Sequence, residues 1–361
     1  MADRPWIVLV GGFLGAGKTT LLLAASRELD RRGMRSALIL NDQGGELVDT
    51  DFVSLQGLLA KEVKGGCFCC RFSDLVREID ELASFSPDAI LAEPVGSCTD
   101  LSATTVHPLQ EISEKYRVAP YTVLVDPARA SALSQPDSDS NLKFLFDKQM
   151  AEADIVCFTK ADIHPVVPPI SHGSVRQISA KTGQGVPEWI DEVLSGTLSV
   201  GSELLDIDYE QYAKAEAALA WLNASATLKS DVPVRVSSVL PAVLDRIDLG
   251  CAAEKVEIVH LKGIMRSQSG FLKGALCANR QTPVWDGPLE TVPSGSHSIL
   301  LNLRAVGQAD LVKRIVERSL AGLTVTVSDL QINSFHPTPP KPERRVVSPE
   351  TVKGHFPPPS R

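Results

Sequence analysis

WIVLVGGFLGAGKTTLLL, residues 6–23, sets an apolar run directly against a glycine-rich turn and then a helix-forming stretch. The run WIVLVGG reads as a buried strand, and KTTLLLAASRELDRRG reads as a helix with Gly33 at its C-terminal cap. Between them GFLGAGKT, Gly12 to Thr19, fits the spacing G-x-x-x-x-G-K-[ST]. Gly15 and Gly17 let the chain fold closely around an anion. Backbone N–H groups of Ala16 to Thr20, at the start of the helix, then point at a phosphate. Lys18 supplies a point charge for the β/γ-phosphates, and the Thr19 hydroxyl is a Mg²⁺ ligand. A phosphate loop between strand and helix predicts an α/β nucleotide-binding fold.

Outward from this loop the alternation continues. Strands are expected at SALILN (36–41), DAILAE (88–93), YTVLVD (121–126), DIVCFTK (154–160) and VRQIS (175–179), with helical stretches between them. Continuous apolar strands separated by helices indicate a mostly parallel, doubly wound sheet covered on both faces. The composition agrees with a folded chain: 361 residues, 43% apolar and 22% charged, enough for about two domains. A net charge of −8 argues against a uniformly basic nucleic-acid grip. No apolar window reaches the length of a membrane span, and seven unevenly spaced cysteines suit a reducing compartment. The expectation is a cytoplasmic protein that binds neither membrane nor nucleic acid.

After VPEWIDEVLSG the texture changes. Residues 1–200 read as the nucleotide-binding domain and 201–215 as a linker. Residues 216–335, in the order β-α-β-β-(β)-α-β, read as a smaller α+β domain of split-βαβ type. Residues 336–361, HPTPPKPERRVVSPETVKGHFPPPSR, are proline-rich without apolar period and are expected to form a disordered tail.

The base of the nucleotide is addressed by two short motifs. Thr159-Lys160-Ala161-Asp162 differs by one residue from the N-K-x-D pattern of guanine sites. A carboxylate at Asp162 accepts from guanine N1–H and the exocyclic amine together. Adenine offers no such pair of donors, so a buried acceptor would go unsatisfied. Ser179-Ala180-Lys181 follows the next strand, where a backbone N–H meets the guanine O6. GTP is therefore expected over ATP, with Thr159 in place of the usual Asn weakening the brace of the loop. Glu93 and Asp126 end two further strands, where open α/β sheets place their ligands, and are candidates for the Mg²⁺ environment. Gly96 follows Glu93 and is placed to sense a γ-phosphate. Asn41 to Asp49 follows the second strand, where a nucleotide-sensing switch would sit.

KEVKGGCFCCRF, residues 61–72, holds three thiols in four positions. Packing, redox chemistry and metal binding all remain open for it. Adjacent Cys69 and Cys70 do not form a relaxed disulfide easily. Gly65-Gly66 allows a turn tight enough for Cys67, Cys69 and Cys70 to meet one ion, and three thiolates favour Zn²⁺, Cu(I) or Co²⁺ over hard cations. Three ligands leave a fourth position for water, a client residue or a neighbour such as Glu62, which suits transfer better than a closed site does. The other four cysteines, Cys98, Cys157, Cys251 and Cys277, sit singly in apolar contexts and read as core residues.

GGFLGAGKTTLL, ND-x-GG-x-x-x-D, E-x-x-x-GCFCC, AEPVG and TKAD, in that order, resemble the CobW-like P-loop GTPases. The resemblance is close over 6–195 and coarse over 216–333, where HLKG (260–263) is its main sign. It implies a metallochaperone that hydrolyses GTP to govern transfer of a metal from its C-x-C-C motif to a client. Members of that family are linked to zinc, to cobalt in cobalamin synthesis and to iron in nitrile hydratase activation. Carried over, Cys67, Cys69 and Cys70 match the metal motif, and Glu93 with Gly96 matches its E-x-x-G. Zinc or cobalt is the expected cargo, and a client metalloprotein or corrinoid protein, or a second copy of the chain, the expected partner. Without an arginine finger in cis, Lys18 and Glu93 with Mg²⁺ would give slow intrinsic turnover, about 10⁻⁴ to 10⁻² per second. Two rival readings are a P-loop kinase and a chaperone that loads a corrinoid enzyme; a third is a scaffold with structural zinc. The chain departs from the family in Thr159 and in lacking a histidine run, its seven histidines being scattered.

Overall fold

The computed structural model describes residues 4–44, 48–112, 114–170, 172–268, 270–288 and 292–347. In chain order the first elements are β1 (Trp6–Gly12), α1 (Lys18–Arg31), β2 (Ser36–Asp42), α2 (Val48–Leu55), β3 (Ala60–Lys64), α3 (Phe72–Ala83) and β4 (Ala89–Glu93). A π-turn at Ser102–Val106 leads into α4 (His107–Glu111), β5 (Arg117–Val118), β6 (Thr122–Val125), α5 (Pro127–Leu133) and α6 (Ser140–Ala151). Then come β7 (Ile155–Phe158), β8 (Val175–Gln177), α7 (Val186–Val193) and α8 (Tyr209–Ala217). The remainder is β9 (Leu219–Val234), α9 (Val236–Ala253), β10 (Glu257–Ser267), β11 (Gly270–Leu276), β12 (Val284–Asp286), β13 (Ser294–Val306), α10 (Ala309–Ala321) and β14 (Thr326–Phe335). Among the described residues no helix is long and apolar enough to cross a membrane.

Contacts divide the chain into two units, and both are discontinuous in sequence. The first holds residues up to Asn41, Leu59–Ala213 and the segment from Pro340; the second holds Asp42–Leu58 and Lys214–Pro339. The boundaries expected from sequence, 1–200 and 216–335, follow composition. The folded units instead follow packing, which draws 42–58 and the segment from Pro340 away from their neighbours in sequence. The stretch read as a linker, 201–215, contains most of α8, whose Tyr212 is fully buried.

In the first unit the sheet order is β3-β2-β4-β1-β6-β7-β8, with β5 beside β1. The pairs β2–β4, β4–β1, β1–β6, β6–β7 and β7–β8 are all parallel. Ile7 to Val10 are buried on both faces, which is why β1 reads as an unbroken apolar run. With β1 at the centre, the loop after it opens at the C-terminal edge of the sheet, flanked by the ends of β4 and β6. β3 was not expected from sequence, because AKEVK lacks an apolar run; it is an edge strand with only Val63 buried.

The second unit is an antiparallel sheet in the order β12-β11-β10-β13-β9-β14. β9 and β10 both pair antiparallel with β13 and so run parallel to each other across it, joined by α9. The arrangement repeats with β13, α10 and β14 around β9, so the domain is the expected split-βαβ type. The two-residue period sorts the faces. Leu222, Ala224 and Leu228 on β9, with Leu301 and Leu303 on β13, pack with Val243 and Leu244 of α9 and Ile315 of α10. Residues of the other parity face α2 and its flanks. Arg304 binds both carboxylate oxygens of Asp42 at 2.8–2.9 Å, and Asn302 accepts from Val48 N–H at 2.9 Å.

The proline-rich C-terminal stretch requires a correction. Residues 336–347 are ordered, held by polar groups and ring contacts rather than by an apolar period. Val346 N–H donates to Ala103 C=O at 2.9 Å, and Arg345 pairs at 2.7 Å with Asp100, which is 1% exposed. The rest of the expected tail, 348–361, lies outside the described residues, as do Gly45 and Glu46 of the expected switch.

Candidate functional site

The phosphate loop runs through three left-handed glycines, Gly12, Gly15 and Gly17, at φ of 131°, 82° and 95°. Gly17 caps the N-terminus of α1, and no heavy atom beyond its chain neighbours lies within 4 Å of where a Cβ would stand. That is the space an anion needs against the exposed helix N–H groups. Lys18 folds back to donate to Gly12 C=O at 2.9 Å and lies 3.9 Å from a Glu93 carboxylate oxygen. Thr19 Oγ1 donates to Glu93 Oε2 at 2.8 Å. Lys18, Thr19 and Glu93 are all buried, Glu93 at 8% exposure, while Thr20 is exposed. Gly96 packs so tightly that a Cβ there would stand 2.8 Å from Leu14 and 3.1 Å from the Lys18 ammonium. A side chain at position 96 would therefore obstruct the loop lysine.

The residues expected at the base gather at the ends of β7 and β8. Ser179 Oγ donates to Asp162 Oδ1 at 2.7 Å, orienting an otherwise exposed carboxylate. Lys160 takes a left-handed conformation, φ 57°, and its ammonium pairs with Asp126 Oδ2 at 2.6 Å. Thr159 is buried and hydrogen-bonds Val125 C=O through both its N–H (2.9 Å) and its hydroxyl (3.3 Å). The hydroxyl thus offers a local brace where Asn is usual. Ala180 is half-buried and Lys181 exposed. Asp126 was grouped with Thr19 and Glu93 as a magnesium candidate. Its Oδ1 accepts from Ala128 N–H at the cap of α5, and Oδ2 holds Lys160, so both oxygens are engaged on the base side.

The cysteine loop leaves β3 through Gly65 at φ 72° and closes as a turn, with Cys70 N–H and Arg71 N–H both donating to Cys67 C=O. Asn41, at the end of β2, pins it. The Asn41 amide donates to Val63 C=O (2.9 Å) and Gly66 C=O (2.7 Å), and its oxygen accepts from Phe68 N–H (3.0 Å). The sulfurs of Cys67 and Cys69 are 2.7 Å apart, and those of Cys69 and Cys70 are 3.7 Å apart. All three lie within 4.8 Å of one another, the only such His/Cys/Asp/Glu cluster able to hold a metal among the described residues. Glu62 stands outside it and pairs with Lys64 at 3.3 Å.

Three thiols this close share protons unequally. Cys67 accepts hydrogen bonds from Cys69, Cys70 and Cys98, which holds its pKa well below the usual thiol value. Cys69 is pushed well up, first by donating to Cys67, and Cys70 is pushed up to about 12 for the same reason. A second negative charge is resisted here unless a cation offsets it.

Cys98, expected to be a core cysteine, is buried at 1% exposure. One feature escaped the sequence: the C-terminal segment reaches the loop. Lys341 N–H donates to Cys70 Sγ at 3.1 Å, Glu343 N–H to Cys69 C=O at 2.9 Å, and Glu343 Oε2 accepts from Ser73 N–H and Oγ–H.

Among known proteins, a family model for the CobW/HypB/UreG nucleotide-binding domain matches residues 6–182. The chain is 30% identical over 161 residues to the zinc chaperone YeiR of Escherichia coli, covering 43% of this chain and 46% of that protein. It is 29% identical over 185 residues to the zinc chaperone CobW of Pseudomonas aeruginosa, covering 43% and 48%. The chain spans about half the length of the curated relatives it matches. A solved structure of Zn(II)-bound YjiA GTPase from E. coli aligns over 89% of this chain and 99% of that one, at 18% identity and a TM-score of 0.34. A likeness at that score carries no functional information. The phosphate loop, the strand-end base motifs and the match over 6–182 agree: the nucleotide-binding portion of this chain belongs to the CobW-like P-loop GTPase family.

Proposed function

We propose that this chain is a GTP-hydrolysing metallochaperone that carries a thiophilic cation, zinc first and cobalt second, to a client metalloprotein. The observation that carries the reading is the convergence of the Cys67, Cys69 and Cys70 sulfurs within 4.8 Å in a loop pinned by Asn41. Inert packing gives no reason for three thiols to meet, and soft sulfur donors select zinc, copper(I) or cobalt. The names of three curated relatives, YeiR, YjiA and CobW, each a zinc chaperone, support zinc.

GTP would sit with its phosphates on the N–H groups of Gly15 to Thr20 and its base against Asp162, with Lys160 along the base plane and the Ala180 N–H facing O6. Thr19 and Glu93, 2.8 Å apart and buried, form a hard-oxygen pair suited to Mg²⁺ and its water shell. Magnesium bound there supplies charge neutralisation at the β- and γ-phosphates. Lys18, released from Gly12 C=O, places its ammonium on the same oxygens, and Gly96 N–H is the donor toward the γ-phosphate. Charge stabilisation of this kind, without an arginine in cis, gives slow turnover that a client or a second copy would raise.

The test is metal stoichiometry and GTPase rate for the wild type and the Cys67/Cys69/Cys70→Ser variant. Wild type should bind one equivalent of Zn²⁺ tightly, and the variant should lose at least about a hundredfold in affinity while keeping GTP binding. Unchanged zinc affinity in the variant would overturn the carrier reading.

A further inference from the structure

Residues 341–347 are ordered without fully burying any of their own side chains: Lys341, Glu343, Arg344 and Val347 are exposed, and Pro342, Arg345 and Val346 are half-buried. A row of polar contacts holds them. Lys341 N–H donates to Cys70 Sγ at 3.1 Å, Glu343 N–H to Cys69 C=O at 2.9 Å and Val346 N–H to Ala103 C=O at 2.9 Å. Donors at 341 and 343 alternate as in an extended strand, and any peptide backbone supplies such donors. Two side chains add selectivity. Glu343 Oε2 accepts from Ser73 N–H at 2.9 Å and Oγ–H at 2.6 Å, and Arg345 donates to Asp100 Oδ2 at 2.7 Å and Leu205 C=O at 3.0 Å. The fit at Asp100, 1% exposed, is incomplete. Its Oδ2 takes both Arg345 and the Tyr209 hydroxyl (2.6 Å), while Oδ1 is buried with no hydrogen-bond partner among the described residues. A guanidinium presented fork-on serves both oxygens and binds more strongly.

We propose that the surface under 341–346 is the client-docking site, and that this segment is its internal occupant. The client presents an extended stretch with an acid two residues before an arginine, Glu-x-Arg, which takes the places of Glu343 and Arg345. A segment held by hydrogen bonds and ion pairs alone belongs to the less stable parts of its unit, so exchange costs little. Docking there sets the client backbone against Cys69 and Cys70, two of the three thiols of the metal loop. Recognition and metal transfer then share one surface. The proposal rests on the carrier reading for the purpose of docking, and on the contacts above for its chemistry.

The probe is a labelled synthetic peptide of the chain's own segment, PKPERRV (340–346), added to the metal-free full chain. Fluorescence anisotropy should show the Glu343→Ala/Arg345→Ala variant binding it at least about tenfold more tightly than wild type, whose site is filled at the high effective concentration of a tethered segment. A peptide with alanine at its glutamate and second arginine should bind neither protein. In wild type, which needs no variant, excess peptide should speed hydrogen exchange over 341–346 of the protein by releasing that segment, as read by mass spectrometry. Equal binding by wild type and variant, binding that ignores the two alanines, or exchange that the peptide leaves unchanged would overturn the docking site. None of these readouts involves metal, so their failure leaves the carrier reading standing. That reading fails instead if zinc affinity is unchanged in the Cys67/Cys69/Cys70→Ser variant.

Discussion

Glu152 shows how much a single buried group can control. It is fully buried, accepts from Thr99 Oγ1 and Ser102 N–H at 2.9 Å each, and so holds the turn that follows Cys98. Burial pushes its pKa up to about 8, the hydrogen bonds opposing only in part. An acid whose folded pKa exceeds its unfolded value stabilises the fold fully below the unfolded pKa, here about 4.5. That contribution is lost as pH rises through 8. Chemical denaturation followed from pH 5 to 9 should show the wild type losing on the order of a few kcal/mol, and Glu152→Gln losing distinctly less. Equal slopes would show that Glu152 keeps its charge in the fold. At this scale the sequence is legible where chemistry demands a fixed spacing. Lys18, Thr19 and Glu93, expected at one site from their motifs, lie together in the fold, Thr19 at 2.8 Å and Lys18 at 3.9 Å from Glu93. Glu152 is silent in sequence, since what makes it matter is the partners that folding supplies.

Among the elements, strands and helices of the first sheet follow apolar runs and periodicity, and six of its eight strands are legible that way, the short β3 and the two-residue β5 being the exceptions. The segment 336–347 does not follow such patterns. Its composition lacks a hydrophobic period, yet it is held by point contacts: Arg345 to Asp100, Arg345 to Leu205 C=O at 3.0 Å, Glu343 to Ser73, and the Arg344 guanidinium 5.4 Å from the Phe72 ring centroid. Contacts of this kind leave no signature that a window average detects. The strap lies against Cys69 and Cys70, so loosening it should bare the half-buried Cys70 thiol. In metal-free protein, Arg345→Ala and Glu343→Ala together should raise the rate of Cys70 alkylation by iodoacetamide about tenfold, since Asp100 loses its buried partner and the segment its anchors. Site-resolved mass spectrometry reads the rate at each cysteine, with Cys277 as the reference. Identical rates at Cys70 would mean that the segment does not shield the loop.

For the whole molecule, the informative fact is the exchange of segments between units. Residues 42–58 leave β2 immediately after Asn41, which pins the cysteine loop, and return at β3, which leads into that loop; between these points they belong to the second unit. Composition could not reveal this, because VDTDFVSL is an ordinary short helix until the basic face of the second sheet is in place. There Asp49 is half-buried between the ammonium groups of Lys262 and Lys273, Asp51 pairs with Arg266, and Phe52 stacks edge-on with Phe271 at 5.8 Å. Lys273 also stands 4.1 Å over the Phe52 ring. Burial opposes the charge on Asp49, but Lys262 and Lys273 together win and hold its pKa well below the usual carboxylate value. Lys273 itself is depressed, chiefly by burial, so it is the partner that most needs the aspartate. Asp49→Ala removes the carboxylate shared by the buried Lys273 and the half-buried Lys262 and should cost about 2–4 kcal/mol. Adding Lys273→Met removes one of them and restores apolar contact with Phe52, so the double variant should recover about half of the loss. Urea denaturation of the three proteins measures both quantities. A double variant no more stable than Asp49→Ala would show that the aspartate holds 42–58 by a route other than relieving Lys273, and that the ion cluster is not what anchors the segment.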